Sequence, residues 1–145
     1  MNHLQQGGPY QTALVVDDDP FSLDVAQLAL ERLGLPAIAT AADGQAGIRT
    51  YDRMQPKPDL VVCDLFMPDM DGIEFINSLG ERHYAGALVL VTGGDLSMMQ
   101  MATQLAQSSY GLKVLGAWPK PLLAETLAAA LGLQLPACES LSGAA

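Results

Sequence analysis

Cysteine and positive charge are both scarce in this 145-residue chain. Its two cysteines, Cys63 and Cys138, cannot supply a disulfide framework. Cys63 stands in the apolar run Leu60-Val61-Val62-Cys63, where the residue acts as a small buried hydrophobe, and Cys138 falls in a terminal tail. Seven Lys plus Arg face sixteen Asp plus Glu, a net charge of −9. A surface so acidic repels phosphodiester backbones and anionic lipid, which excludes direct nucleic-acid or membrane-surface binding and favours a cation or a basic protein patch. No apolar stretch reaches the roughly 18 residues of a membrane span. The opening Met1-Asn2-His3-Leu4-Gln5-Gln6-Gly7-Gly8-Pro9 lacks the positive and apolar regions of a signal peptide, so the expected location is the cytoplasm. There is no internal repeat and no low-complexity block. The length fits one domain, and half the residues are hydrophobic, enough for one core.

What the chain does have is alternation. Five short apolar runs, at residues 13–16, 37–40, 59–63, 87–91 and 114–117, are each followed by a segment with helical spacing. Asp19-Pro20 reads as the N-cap and first residue of a helix that presents Phe21, Val25, Leu28 and Ala29 on one face and stops near Gly34. The second helix starts at about Asp43 and ends before Pro56-Lys57-Pro58. A third carries Ile73, Phe75, Ile76 and Leu79, a Met-rich fourth spans residues 96–109, and the last spans 122–131. This order demands parallel strands with right-handed crossovers. The expected domain is 12–132, with a flexible tail at 1–11 and a C-terminal tail or linker stub at 133–145.

In a sheet of this kind ligands bind outside the carboxyl ends of the strands. Strand one ends in Asp17 and Asp18, strand three in Asp64, strand four in Thr92, and strand five runs into Lys120. A lone Asp after a strand is more often a turn or cap, and Asp19, Asp69, Asp71 and Asp95 take that reading. Three carboxylates at neighbouring strand ends, however, repel one another unless a cation neutralises them. Carboxylate oxygens with a backbone carbonyl and waters are what Mg²⁺ prefers. A lysine on one side and a threonine hydroxyl on the other complete a site able to hold a phosphoryl group, with the aspartate between them placed as a nucleophile.

Asp17-Asp18, the loop Asp64-Leu65-Phe66-Met67-Pro68-Asp69-Met70-Asp71-Gly72, Thr92-Gly93 and Trp118-Pro119-Lys120-Pro121 resemble the receiver domains of two-component response regulators, colinearly over about residues 12–132. The resemblance implies a flavodoxin-like α/β fold, a five-stranded parallel sheet of order 2-1-3-4-5 with helices on both faces. It makes Asp64 the phosphoacceptor. Asp18 and Asp64 would touch Mg²⁺ directly, Asp17 through water, and Phe66 through its backbone carbonyl. Thr92 would be the switch hydroxyl, and Lys120 would pair with Asp64 before phosphorylation and with the phosphoryl group after it. The implied partners are a histidine kinase or phosphotransfer protein and an output domain or partner protein. A monomer and a homodimer through helix four, strand five and helix five both stay open.

Two departures stand out. Receivers usually carry an aromatic three residues before the lysine, and that position is Ala117; Trp118 follows it and, by period-two alternation, points to the other face of the strand. The segment Leu112 to Leu122 also resembles receivers attached to EAL-type cyclic-di-GMP phosphodiesterases. Phe66 and Gly94, each two residues past a site residue, offer no group to orient a water, which implies slow loss of phosphate. Met98, Met101, Leu105 and Ala106 read as core and Met99 as exposed; His3 falls in the flexible N-terminal tail, and His83, with no second His or Cys at metal spacing, reads as a solvated or capping residue. Two rivals remain. Asp17-x-Asp19 superficially matches a haloacid-dehalogenase-type phosphohydrolase, although Pro20 disrupts that motif and the chain leaves no room for a cap. Ala117 keeps alive a degenerate receiver that docks without being phosphorylated.

Overall fold

The parallel sheet has the order β2-β1-β3-β4-β5 in a computed structural model that describes residues 10–65, 72–93 and 111–134, with Ser97, Gln100, Thr103 and Gln104. Its strands are β1 (Thr12–Val16), β2 (Ala37–Ala41), β3 (Leu60–Asp64), β4 (Ala87–Thr92) and β5 (Lys113–Pro119). Four helices are described: α1 (Pro20–Arg32), α2 (Gly44–Arg53), α3 (Gly72–Glu81) and α4 (Ala124–Leu131). The expected strand order and flavodoxin-like fold are therefore present. The four described residues of the expected Met-rich helix are helical, and its methionines lie outside the described residues. No helix among the described residues is long and apolar enough to cross a membrane.

Strands β1, β3 and β4 read as continuous apolar runs because both faces are covered. Residues alternate between two clusters. Leu14, Val16, Val61, Cys63, Leu88 and Leu90 pack with Phe75, Ile76 and Leu79 of α3. Ala13, Val15, Leu60, Val62 and Val89 pack with Leu30 of α1 and Leu127 of α4. Asp59 clips the sheet's start by accepting the backbone N–H groups of Gln11 and Thr12.

Helix α1 corrects the sequence reading. Asp19 is its N-cap, accepting from the Phe21 N–H at 3.2 Å and the Ser22 hydroxyl at 2.9 Å. Yet Phe21 and Leu28, expected on the core face, are 70% and 60% exposed, and the buried stripe is Ala26, Ala29 and Leu30. The segment offers two overlapping apolar stripes, and the sheet selects the one whose small alanines let the helix approach closely. The last helix starts at Ala124 rather than 122, while β5 continues to Pro119 because its ladder with β4 runs on to the Thr92↔Pro119 pair. Proline is tolerated there on an edge strand.

A β-bulge at Leu88/Val89 pairs Leu88 with Val114 and Val89 with Gly116, leaving Leu115 as the extra residue. Leu115 and Trp118 pack on the α1/α4 side, and Ala117 packs on the other. The expected opposition of Ala117 and Trp118 holds.

The edge opposite the aspartates is neutralised internally. Lys57 Nζ donates to the carbonyls of Tyr51 (2.6 Å) and Asp52 (3.1 Å) at the end of α2 and lies 4.6 Å from the Tyr51 ring centroid. Arg82 grips Asp52 with two hydrogen bonds of 2.8 and 3.1 Å. These cations complete helix C-termini and are committed there.

Helices α1, α3 and α4 share one exit, in which a left-handed residue donates to a carbonyl three back and its successor to one five back. Glycine fills it at Gly34 and Gly132, but α3 uses His83 at φ 56°. A Cβ is disfavoured in that conformation. We expect His83→Gly to raise stability by about 0.5 kcal/mol or more in urea denaturation, the relief of strain exceeding the added freedom of the unfolded chain. An unchanged or lower midpoint would count against it.

Candidate functional site

The register brings the polar strand ends level. Val16 pairs with Cys63, so the next residues, Asp17 and Asp64, end adjacent strands side by side. Asp64 pairs with Val91, which puts Thr92 one residue beyond it, and Thr92 pairs with Pro119, just before Lys120. Backbone bonds fix these ends: Asp17 N–H donates to Ala41 O (3.1 Å), Leu65 N–H to Val91 O (3.0 Å) and Lys120 N–H to Thr92 O (3.0 Å).

Asp17, Asp64 and Thr92 are the buried polar residues of the described core, at 3%, 2% and 1% exposure. Lys120 holds the two carboxylates together. Its ammonium lies 3.0 and 2.9 Å from the two Asp17 oxygens and 3.2 Å from Asp64 Oδ2. The expected pairing of Lys120 with Asp64 is thus present, and its shorter contacts are with Asp17, which also accepts the Asp19 N–H at 2.9 Å. Burial disfavours the ammonium, but its hydrogen bond to Asp17 and the charges of Asp17 and Asp64 outweigh burial and hold its pKa above the usual lysine value.

Asp18 is exposed, and one carboxylate oxygen from each of Asp17, Asp18 and Asp64 lies within 4.8 Å of the others. This all-oxygen set, two members buried and one open to solvent, fits a hard divalent cation that keeps part of its water shell. Asp19 stands apart from it as a helix cap, which removes the paired-carboxylate basis of the phosphohydrolase reading. Phe66, Gly94 and the acidic residues Asp69, Asp71 and Asp95 lie outside the described residues.

One residue of the site had no assigned part in the sequence reading beyond its place in the loop motif. Gly72 opens α3 directly against the backbone that follows the buried aspartate: a Cβ there would come within 2.5 Å of Leu65 Cα and 2.7 Å of Asp64 O. Its N–H donates to Leu65 O at 3.0 Å. Asp-Gly after a strand signals a turn, but sequence does not separate a turn glycine from one required by close approach.

A cavity of about 270 Å³ adjoins the ion pair on the α1/α4 side. Asp17, Ser22 and Lys120 are polar members of a mostly apolar lining that includes Val15, Val62 and Leu122.

Residues 13–130 match the family model described as response regulator receiver domain. The chain is similar to the chemotaxis protein CheY of Treponema pallidum, 35% identical over 111 residues that cover 75% of this chain and 76% of that protein. It is similar to a probable C4-dicarboxylate response regulator, DctR, of Halalkalibacterium halodurans, 32% identical over 88 residues, 60% of this chain. The match spans only 37% of that regulator's length. Among solved structures, a response regulator from Colwellia psychrerythraea aligns with a TM-score of 0.69 and 29% identity, covering 85% of this chain and 94% of that one. A chain of the CheX–CheY–BeF3–Mg complex from Borrelia burgdorferi gives a TM-score of 0.71 at 23% identity, covering 83% of this chain and 86% of that one. That last likeness concerns the fold alone.

The geometry predicts a charge-dependent stability. Lys120→Met leaves two buried carboxylates without their cation and is expected to cost about 2–4 kcal/mol in urea denaturation, with added Mg²⁺ restoring part of it. Because the folded pKa of Lys120 is raised, its contribution is complete below the ordinary value of 10.5 and is lost as pH rises through the higher folded value. Wild type should lose stability over that range that Lys120→Met does not; parallel curves would show that the pair carries no weight. Gly72→Ala is expected to cost about 1–3 kcal/mol by overpacking, read from the same denaturation curves.

Proposed function

The chain belongs to the response regulator receiver domains, and from that membership we propose that it accepts a phosphoryl group on Asp64 and passes the resulting change to a partner or output domain. The observation that carries the reading is the joint hold of Lys120 on Asp17 and Asp64, with Asp18 in reach of both. A buried carboxylate beside an ammonium and an open acidic face can both attack phosphorus and have its product neutralised.

In the reaction an Asp64 oxygen forms a bond to phosphorus while the donor's bond to phosphorus breaks, and the donor leaves with the electron pair. Lys120 turns from Asp17 toward the phosphoryl oxygens, and the Thr92 hydroxyl donates to one of them. Asp18 and Asp64 would hold Mg²⁺ directly, Asp17 through water and Phe66 through its backbone carbonyl. When bound, Mg²⁺ supplies the charge that lets phosphate approach three carboxylates. The donor is a histidine kinase, a phosphotransfer protein or a small phosphodonor, and the domain works as a signalling module rather than a turnover enzyme. An output of EAL type rests on the 112–122 segment alone.

Incubation with acetyl phosphate and Mg²⁺ followed by intact mass measurement tests the proposal. Wild type should gain one phosphoryl group, and Asp64→Asn should gain none. Asp18→Ala should lose Mg²⁺ binding and phosphate uptake while keeping its fold, because Asp18 is exposed. Uptake by Asp64→Asn would overturn the acceptor assignment, and no uptake by wild type would favour a phosphorylation-independent docking module. The acyl phosphate should decay slowly, since Phe66 and Gly94 offer no group to orient water. Phe66→Asn or Gly94→Glu should speed decay several-fold, about 1 kcal/mol in the barrier.

A further inference from the structure

Trp118 is the only tryptophan in the chain, and it is half-buried against the cluster that carries α1 and α4. Its indole occupies the space a side chain at Gly116 would need: a Cβ there would stand 2.6 Å from Cη2 and 3.1 Å from Cζ2. On the opposite side of β5, Ala117 presents a single methyl group. The bulge at Leu88/Val89 creates this arrangement, because its extra residue, Leu115, sets which later side chains face α1 and α4.

Trp118 is also tied to the acceptor site. It pairs in register with Val91, one residue before Thr92, and Lys120 N–H donates to Thr92 O at 3.0 Å. Lys120 follows Trp118 by two residues and lines the cavity of about 270 Å³ on the α1/α4 side, whose wall also includes Val91, Phe21 and Val25. A close-packed core resists a moving strand end, whereas this volume accommodates one. The large hydrophobics exposed among the described residues, Phe21, Leu28 and Leu123, all lie on α1 or just before α4.

We propose that phosphorylation is relayed through Lys120 and Trp118 to the α1/α4 face, with Trp118 as the aromatic that changes environment. The inference rests on the acceptor reading of Asp64. A phosphoryl group there competes with Asp17 for the ammonium of Lys120. Release of Asp17 frees the exit of β5, and Trp118, two residues back and seated on a glycine, moves with it.

The full-length chain supplies the test through the emission of its one tryptophan, with phosphate uptake followed in parallel by intact mass. Acetyl phosphate with Mg²⁺ should shift the emission maximum and the acrylamide quenching of wild type, and leave Asp64→Asn unchanged. Gly116→Ala should take up phosphate but lose the shift, because the added methyl displaces the indole from its seat. Hydrogen exchange on wild type gives a second measurement independent of that variant's folding. Phosphorylation-dependent changes in residues 20–32 and 113–131 support the relay; changes confined to other segments overturn it. Phosphate uptake without an emission shift, or a shift that survives in Gly116→Ala, also overturns it. Absence of uptake in wild type overturns the acceptor reading instead, and the relay falls with it.

Discussion

Two buried carboxylates on neighbouring strands share one ammonium, and most of the architecture serves that contact. Asp17 and Asp64 are nearly inaccessible, and burying them without a partner would cost several kcal/mol apiece. Lys120 must therefore arrive from a strand three places away from Asp17 and two from Asp64, and stop at the right height. Parallel pairing does this, since each strand's last ladder partner fixes the level of the next. Asp19 caps α1 immediately beyond Asp17, and Gly72 lets α3 begin against the Asp64–Leu65 backbone. The site is thus rigid behind and open in front, where Asp18 meets solvent.

The two ends of the sheet handle charge in opposite ways. At the amino edge Lys57 and Arg82 are consumed by carbonyls and by Asp52, so scarce positive charge closes helix ends. At the carboxyl edge one lysine faces three aspartates, and the excess negative charge suits an incoming cation. The same division runs through the thickness of the molecule. The α2/α3 side is closed by large residues such as Phe75, Ile76 and Leu79, whereas the α1/α4 side is built with alanines and borders a cavity. Free volume, an exposed Phe21 and the lone Trp118 therefore fall on one side.

The strands were legible because a both-sides-buried parallel strand is a run of apolar residues with no other use, as in Leu60 to Cys63. The site was legible because its residues end such runs and match a specific motif around Asp64, Thr92 and Lys120. The cap at Asp19 follows from local backbone chemistry and forms, and Asp43, the expected start of the second helix, caps it by accepting the Ala46 N–H. By itself, then, the sequence determined which residues are apolar in strand-length runs, which polar groups follow them, and a net charge of −9.

Tertiary structure decided the rest, because those features depend on what each element meets. Phe21 and Leu28 are as apolar as the residues that bury, and only the sheet's surface selects the stripe of Ala26, Ala29 and Leu30. The bulge depends on pairing with β4, so the placement of Leu115 on the same side as Trp118 is settled by a neighbour 26 residues away, Leu88 pairing with Val114. Gly72 looks like any turn glycine until the backbone of Leu65 is set against it. Lys120 is one of seven basic residues, and only the fold gives it two buried carboxylates to neutralise. Local propensity acts within a few residues of itself, whereas burial and charge neutralisation are properties of groups brought together from distant parts of the chain.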